Sequence, residues 1–145
     1  MNKIYVDTDV VIDFLIDRKP FSEAASQLFT YGEKQEIEIY ISSLSFSNIY
    51  YVIRRFVGHE KSIELLNSLE KIVKVLPVDR QIIVQSLNSE FKDFEDGIQN
   101  YCAKQIEEIQ IIITRNVKDY KKSDLAIHTP ESYLKILSRN QKKKK

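Results

Sequence analysis

The sequence has little cysteine, glycine or proline, and each shortage narrows what the protein can be. Its one cysteine, Cys102, cannot form an internal disulfide. With 3 glycines and 3 prolines in 145 residues, the chain has no flexible linker, and we detect no internal repeat. Too few apolar residues precede Asp7 for a signal peptide or a membrane span. We therefore expect a cytoplasmic protein with no membrane partner.

An excess of charge of either sign is also missing. The formal net charge is +1, so no global field attracts nucleic acid, and any site for a polyanion must come from local charge. Hydrophobic residues make up 43% of the chain and charged residues 30%, as in an ordinary globular domain with a sizeable core. We expect one domain over residues 1–139, followed by a lysine-rich, disordered tail at 140–145.

Apolar segments of strand type alternate with segments of helical spacing along the chain. The predicted strands are 4–6, 37–41, 72–76, 109–114 and 125–128. Strands separated by helices pair in parallel through right-handed crossovers, with helices on both faces of the sheet. The sequence thus predicts an α/β fold with three α/β/α layers and a mostly parallel sheet of four to five strands. The almost fully apolar strand 109–114 suits the centre of that sheet.

Two helices carry more specific expectations. In the first helix, the apolar positions leave Asp13 and Asp17 on other faces, where we expect solvent. After the second strand, Gly58 and His59 separate two helices. The first of these two helices is expected to turn a set of apolar residues inward: Leu44, Ile49, Val52, Ile53 and Phe56.

Acidic residues stand where the first strand passes into the first helix. Asp7 and Asp9 follow the apolar run that begins at Ile4. In open α/β sheets, ligands bind outside the carboxyl ends of the strands, so these acids are candidates for holding a cation. An aspartate at this place can equally cap the following helix. On this segment alone, both interpretations stay open.

Two further groups of polar residues lie where strand ends would converge. The first is Asp93, Glu95 and Asp96 at a helix start, and the second is Thr114, Asn116 and Asp119 after the strand of isoleucines. Asp93 and Asp96 also resemble a capping box, and Asp119 lies in a lysine-rich turn where a solvated acid is common.

Several carboxylates in one crevice would repel one another. Two unit charges about 4 Å apart repel by roughly 4 kcal/mol at an effective dielectric constant of 20. A divalent cation relieves that repulsion, and ligands that are all oxygen atoms suit Mg²⁺ or Mn²⁺.

The segments at these places together resemble the PIN domain family over nearly the whole chain. The matching segments are Ile4–Leu15, Asp93–Gln99, Ile112–Tyr120 and His128–Glu131, in that order. The resemblance implies a nuclease that depends on Mg²⁺ or Mn²⁺ and acts on RNA. Many small single-domain members are toxins of bacterial toxin–antitoxin pairs, which implies a cognate antitoxin as a partner. We also expect a homodimer.

Carried over to this chain, the resemblance implies three catalytic, metal-binding carboxylates: Asp7, Asp96 and Asp119. The supporting polar groups would be Asp9, Asp93, Thr114 and Asn116. The chain departs from the family pattern in the helix after the second strand, where the usual acid is replaced by Asn48. An amide oxygen can bind a metal ion but adds no charge.

Basic residues near the predicted site are candidates for contacts with the RNA backbone, which a bare carboxylate cluster would repel. They are Arg54, Arg55, Arg115, Lys118, Lys121 and Lys122. Arg54 and Arg55 can instead be a solvated helix end that suits the helix dipole.

Two other functions compete with a nuclease. Asp7-Thr8-Asp9 also fits the opening motif of haloacid-dehalogenase-type phosphatases, with Ser42 or Ser43 as the hydroxyl group of that family. A nucleic-acid-binding or partner-binding domain that kept the fold and lost the chemistry is the third possibility, and Asn48 favours it.

Overall fold

A computed structural model describes residues 1–143 of the protein. Its strands are β1 (Asn2–Val6), β2 (Ile37–Ser42), β3 (Lys74–Leu76), β4 (Ile111–Ile113) and β5 (Ala126–His128). Its helices are α1 (Thr8–Leu15), α2 (Ser22–Glu33), α3 (Ser43–Ile72), α4 (Arg80–Leu87), α5 (Phe94–Ala103) and α6 (Pro130–Lys143), and a 3-10 turn spans Val117–Tyr120. None of the helices in this range has both the length and the apolar character needed to cross a membrane.

The strands form one parallel sheet in the order β3-β2-β1-β4-β5. This confirms the predicted fold class. The central strand is β1, whose Ile4 pairs with Ile39 of β2 and whose Tyr5 pairs with Ile112 of β4. The isoleucine strand, β4, was predicted to lie at the centre of the sheet, but it lies next to the central strand. The central place belongs to β1, which is equally apolar where it is covered on both faces. The central position of β1 delivers Asp7 to the middle of the carboxyl edge.

Helices cover both faces of the sheet. Ile4 and Val6 of β1 point into a core formed with α1, α2, α3 and α6. Tyr5, between them, points to the opposite face and packs with Cys102 of α5 and Tyr120. This alternation follows from the two-residue period of a strand. The layers are therefore α/β/α, with α5 packed on the face that carries Tyr5.

Helix α3 contains a kink at Gly58, where the backbone has φ +81° and ψ 177°. Only glycine adopts this conformation without strain, so the predicted separation of two helices at this point corresponds to a real break in direction. Leu44 and Phe56 were expected to be buried, but they are 42% and 67% exposed. The core face of this part of the helix is narrower than its apolar stripe: of the five residues predicted to face inward, Ile49 and Ile53 are the two that are fully buried.

The end of the chain also differs from expectation. The segment predicted to be disordered from residue 140 is helical as far as Lys143, and residues 144–145 lie outside the described part. Lysine and glutamine are good helix formers, and cations at a helix C-terminus suit the helix dipole.

Candidate active site

Asp7 lies at the centre of the candidate site. Its carboxylate accepts a weak hydrogen bond from the backbone N–H of Asp9 at 3.4 Å, so it also caps α1. Its side chain is almost fully buried, and its two oxygens accept hydrogen bonds from Gln99 Nε2 at 2.9 Å and Thr114 Oγ1 at 2.7 Å. Burial raises the pKa of Asp7, while the bonds from Thr114 and Gln99 oppose that rise. The carboxylate is thus held by neutral donors.

Gln99 is the residue that sequence reasoning missed. Its Oε1 accepts hydrogen bonds from the backbone N–H of Thr8 at 3.1 Å and from the Tyr5 hydroxyl at 3.3 Å, which fixes the amide orientation. Its Nε2 then faces both Asp7 and the Tyr120 hydroxyl, which is 3.1 Å away. Gln99 was visible only as the end of the motif that begins at Asp93.

Asp96 is joined to Asp7 through that amide. Gln99 donates to the Tyr120 hydroxyl, which in turn donates to Asp96 Oδ1 at 3.4 Å. Partial burial raises the pKa of Asp96 to about 7, and the charges of Asp7, Asp93 and Asp119 add to the rise. Asp96 therefore shares an electrostatic environment with both of the other carboxylates that were predicted to bind metal.

The neighbouring acids of α5 have different surroundings. Asp93 accepts a hydrogen bond from the N–H of Asp96 at 3.1 Å, so the capping interpretation is correct for Asp93. Desolvation raises the pKa of Glu95, the charges of Asp7, Asp93 and Asp9 raise it further, and a hydrogen bond from Asn48 lowers it. Asn48 of α3 and Glu95 line the same cleft.

The end of β4 supplies further polar contacts. Thr114 is fully buried, and its Oγ1 accepts from the N–H of Asn116 at 3.0 Å while it donates to Asp7. The Asn116 side chain reaches Asp9 Oδ2 at 3.4 Å. Asp119 stands exposed in the 3-10 turn. The supporting residues therefore hold Asp7 and Asp9, whereas Asp119 lies at the solvent-facing rim.

Arg115 makes its contacts within the protein. Its Nε donates to Asp13 at 2.6 Å, and its guanidinium lies 4.0 Å from the centre of the Phe21 ring. The nucleic-acid-binding role of Arg115 stays a prediction. The prediction for Asp13 was wrong: Asp13 is 1% exposed instead of solvated, because two arginines, Arg18 and Arg115, compensate its charge.

Two clefts flank the acids. One, of about 440 Å³, is lined by Glu90, Phe91, Lys92, Asp93, Asp96, Lys118, Asp119, Lys121 and Lys122. The other, of about 310 Å³, is lined by Ser42, Leu44, Ser45, Ser47, Asn48, Phe94, Glu95, Ile98 and Gln99. The predicted lysines therefore border Asp96 and Asp119, and the opposite cleft carries Glu95 as its one charged group.

The two predicted arginines of α3 lie beyond the second cleft. Arg54 and Arg55 are exposed, two turns of helix past Asn48. The Arg54 guanidinium lies 5.1 Å from the ring centre of Tyr51 and 5.8 Å from that of Tyr50. Arg54 therefore lies next to two aromatic rings.

The acidic groups of the site fit a hard divalent cation in their chemistry. The side chains that could bind an ion, those of Asp7, Asp96, Asp119 and Asn48, offer oxygen atoms, and mutual repulsion contributes to the raised pKa values of Asp7, Glu95 and Asp96. Within residues 1–143, however, no three acidic, histidine or cysteine side chains come close enough to hold an ion by themselves. A Mg²⁺ ion usually keeps several waters and needs only one or two carboxylates. The group therefore fits a hydrated ion at an open site.

The phosphatase alternative finds less support in this geometry. Ser42 caps α3, and its hydroxyl lies 3.0 Å from that of Ser45. Asp93, as the cap of α5, opens a helix and does not end a strand.

Comparison with known proteins supports a nuclease fold. Residues 3–118 match a family model described as PIN domain. No curated protein sequence matches the chain.

Several solved structures share the fold at low sequence identity. DNA-bound VapBC from Salmonella typhimurium is 16% identical with a TM-score of 0.65, covering 90% of this chain and 99% of that one. A toxin–antitoxin complex from Klebsiella pneumoniae is 20% identical with a TM-score of 0.63, covering 88% and 97%. VapC20 of Mycobacterium tuberculosis, a toxin that cleaves the sarcin–ricin loop, is 16% identical with a TM-score of 0.60, covering 75% and 86%.

Proposed function

The chain belongs to the PIN domain family, and from that membership we propose that it is a metal-dependent endoribonuclease that hydrolyses phosphodiester bonds of single-stranded RNA. The observation that carries the proposal is the hydrogen-bonded chain from Asp7 through Gln99 and Tyr120 to Asp96. It joins two carboxylates of the predicted set at the carboxyl edge of the sheet, and no lysine or arginine within residues 1–143 forms an ion pair with either one.

The ion would be Mg²⁺ or Mn²⁺, held by Asp7, Asp96 and Asp119, with Asn48 as an uncharged oxygen donor. When bound, a divalent ion polarises the phosphodiester and makes water a stronger nucleophile. The protein contributes orientation: Gln99 and Thr114 fix the carboxylate of Asp7.

Protons in the site are also controlled by the protein. Burial raises the pKa of Tyr120, so its hydroxyl remains a hydrogen-bond donor to Asp96 over the physiological range. Asp96, with a pKa of about 7 in the metal-free protein, is partly protonated near neutral pH. Metal binding at Asp96 therefore competes with protons, and both should be sensitive to pH.

The RNA strand would cross the site between the two groups of cations. Lys118, Lys121 and Lys122, which border Asp96, would contact phosphates on one side. Arg54 and Arg55 would contact them beyond the opposite cleft, where Tyr51 offers an exposed aromatic face for a base. These contacts would offset the repulsion between phosphates and the acids.

We also propose that the protein acts as the toxin of a toxin–antitoxin pair and forms a homodimer. The Klebsiella structure with the same fold is a toxin–antitoxin complex, and the Mycobacterium structure is a toxin. The small single domain agrees with this role. Co-expression with the neighbouring gene tests the partner: a cognate antitoxin should co-purify with the protein and suppress its cleavage of RNA.

The proposed activity is tested by incubating the protein with a single-stranded RNA of defined sequence. We expect cleavage with added Mn²⁺ or Mg²⁺ and none with EDTA. Asp96→Asn should abolish it, whereas Asp124→Asn should not, because Asp124 is an exposed acid paired with Lys104 away from the site. Hydrolysis of a phosphate monoester by a protein that leaves RNA intact would contradict the nuclease and favour the phosphatase.

A binding domain without chemistry is the second candidate, and Asn48 favours it because the site has one carboxylate fewer than the family pattern. The position of Glu95 weakens this argument, since it places a carboxylate in the same cleft as Asn48. RNA binding with a dissociation constant insensitive to Asp96→Asn, together with no cleavage at any metal concentration, would support the binding domain.

A further inference from the structure

Asp13 presents a second buried carboxylate outside the acid cluster, and its partners are cationic. It is 1% exposed, and its Oδ1 accepts hydrogen bonds from Arg18 Nε at 2.8 Å and Arg115 Nη2 at 3.3 Å. Its Oδ2 accepts from Arg115 Nε at 2.6 Å. Arg115 thus makes a two-pronged contact, and Arg18 makes a single one.

The two arginines come from different parts of the fold. Arg18 belongs to the turn between α1 and α2, where its N–H also donates to the carbonyl of Asp13 at 3.0 Å. Arg115 belongs to the loop after β4, which lies 102 residues along the chain from Asp13. Its guanidinium is enclosed between the carboxylate of Asp13 and the ring of Phe21, 4.0 Å away. The loop after β4 is therefore fastened to the first helical hairpin at Arg115.

The residues on either side of Arg115 contact the acids of the site. Thr114 donates to Asp7 Oδ2 at 2.7 Å, and Asn116 reaches Asp9 Oδ2 at 3.4 Å. Because both residues are bonded directly to Arg115 in the backbone, fixing Arg115 limits the movement of both.

We propose that Arg115, held by Asp13 and Phe21, is a positioning residue that keeps Thr114 and Asn116 in place against Asp7 and Asp9. The inference rests on the proposed nuclease function. A buried ion pair is not required for stability alone, since apolar residues of similar volume often stabilise a protein at least as well. Its planar fork provides instead a fixed orientation, which a site with small geometric tolerance requires.

The chain offers a matched control, because Arg18 and Arg115 share one carboxylate. Arg18→Gln and Arg115→Gln each remove one cation from Asp13, so both should lower the melting temperature. Only Arg115→Gln should reduce kcat, by about 100-fold, since a misplacement of about 1 Å in a site can cost that much. KM for RNA should stay near the wild-type value in both variants.

Two outcomes would overturn the proposal in this assay. Equal losses of kcat in the two variants would mean that the ion pairs act only on overall stability. A raised KM with a smaller salt dependence and an unchanged kcat in Arg115→Gln would mean that Arg115 contacts the RNA backbone instead.

A second measurement does not depend on activity. The N–H of Asn116 donates to Thr114 Oγ1 at 3.0 Å, so its hydrogen exchange, followed by NMR, reports the order of the loop. Exchange of this amide should accelerate in Arg115→Gln and stay unchanged in Arg18→Gln. Unchanged exchange in Arg115→Gln would contradict the positioning role. This result remains informative if the wild-type protein cleaves no RNA, in which case the proposed function alone has failed.

Arg115→Lys keeps the positive charge but loses the fork and the flat face against Phe21. It should fold with higher stability than Arg115→Gln and still show faster exchange at Asn116 and a reduced kcat. This variant also carries the test if Arg115→Gln does not fold. Full wild-type exchange and kcat in Arg115→Lys would show that charge alone suffices, which contradicts the proposal.

Discussion

Helix α1 and its N-cap residue carry two buried aspartates, Asp7 and Asp13, whose charges the fold treats in opposite ways. Asp7 is 4% exposed and Asp13 is 1% exposed. The carboxylate of Asp7 is held by the neutral groups of Gln99 and Thr114, whereas that of Asp13 is paired with two guanidinium groups. Burial consequently raises the pKa of Asp7. The charge of Asp13 is thus neutralised within the fold, where it links parts of the structure. The charge of Asp7, to which we assign a cation, has no cationic partner among the residues that hold it.

The same treatment extends to the acids near Asp7. Within residues 1–143, no lysine or arginine forms an ion pair with Asp7, Glu95 or Asp96. The pKa values of all three are raised. The cleft beside Asp96 is also lined by Lys118, Lys121 and Lys122. These lysines can contact the phosphates of an RNA strand while the acids keep their charge.

The contrast between Asp7 and Asp13 is tested most strongly by replacing each aspartate in turn with its neutral amide. Asp7→Asn should lower the rate of RNA cleavage by at least about 1,000-fold, because a bound metal ion stabilises the charge of the transition state by several kcal/mol. It should leave the free energy of unfolding unchanged or slightly higher, since the folded protein disfavours the charged form. Asp13→Asn should lose about 1.5–3 kcal/mol, because the buried side chain loses its charge-assisted hydrogen bonds to two partly exposed arginines.

Urea titrations beside the cleavage assay measure both quantities. The comparison between the two aspartates fails if Asp7→Asn is the less stable of the two variants. It also fails if Asp13→Asn unfolds no more easily than the wild type.

The second prediction concerns the cations that would face RNA. Reversing the charge of Arg54 and Arg55 to glutamate should weaken RNA affinity by about tenfold and lower the salt slope by at least about 1. The matched control reverses Lys71 and Lys74, which lie at the amino edge of the sheet. Fluorescence anisotropy at several salt concentrations measures both pairs. Equal effects of the two double variants would make Arg54 and Arg55 a solvated helix end.

The third prediction sharpens the role of Asn48. Asn48→Asp adds a carboxylate beside Glu95 and should tighten Mn²⁺ binding by about tenfold and raise any cleavage rate, because hard cations prefer charged oxygen ligands. Asn67→Asp, the same change at an exposed position in the second half of α3, is the control. Isothermal titration calorimetry decides: if Asn48→Asp binds metal no better than Asn67→Asp, Asn48 does not face the ion.

The smallest expected effect is a pH dependence of stability in the metal-free protein. The folded pKa of Asp96, about 7, lies above its ordinary value, so the folded state holds more protons than the unfolded state between about pH 4 and 7. Stability should therefore fall as pH rises through this window. Asp96→Asn should flatten the profile, measured as melting temperature in EDTA. A wild-type profile that rises across the same window would contradict the raised pKa.

Local patterns predicted the fold and part of the site. Periodicity identified the strands, and the rule that parallel strands end at one edge indicated that Asp7 and Thr114 would meet. The sequence did not reveal that Gln99 connects Asp7 with Tyr120, because that role depends on how α5 packs behind β1.

The burial of Asp13 could not be predicted from the local sequence either. The helical stripe of α1 left Asp13 outside the apolar face, where solvent is the ordinary outcome. Its burial depends on Arg115, which is distant in sequence and arrives only when β4 pairs with β1. Similarly, the apolar stripe of α3 did not reveal that Leu44 and Phe56 stay exposed, since the width of the covered face depends on which elements pack against the helix.

The central claim is that the uncompensated acids await a divalent cation. Calorimetric titration of Mn²⁺ at pH 8, where Asp96 is mostly ionised, tests it most directly on the wild type, Asp96→Asn and Asp124→Asn. The account predicts saturable binding to the wild type and to Asp124→Asn, and its loss in Asp96→Asn. Binding of equal strength to all three proteins, or no binding to the wild type, would contradict it.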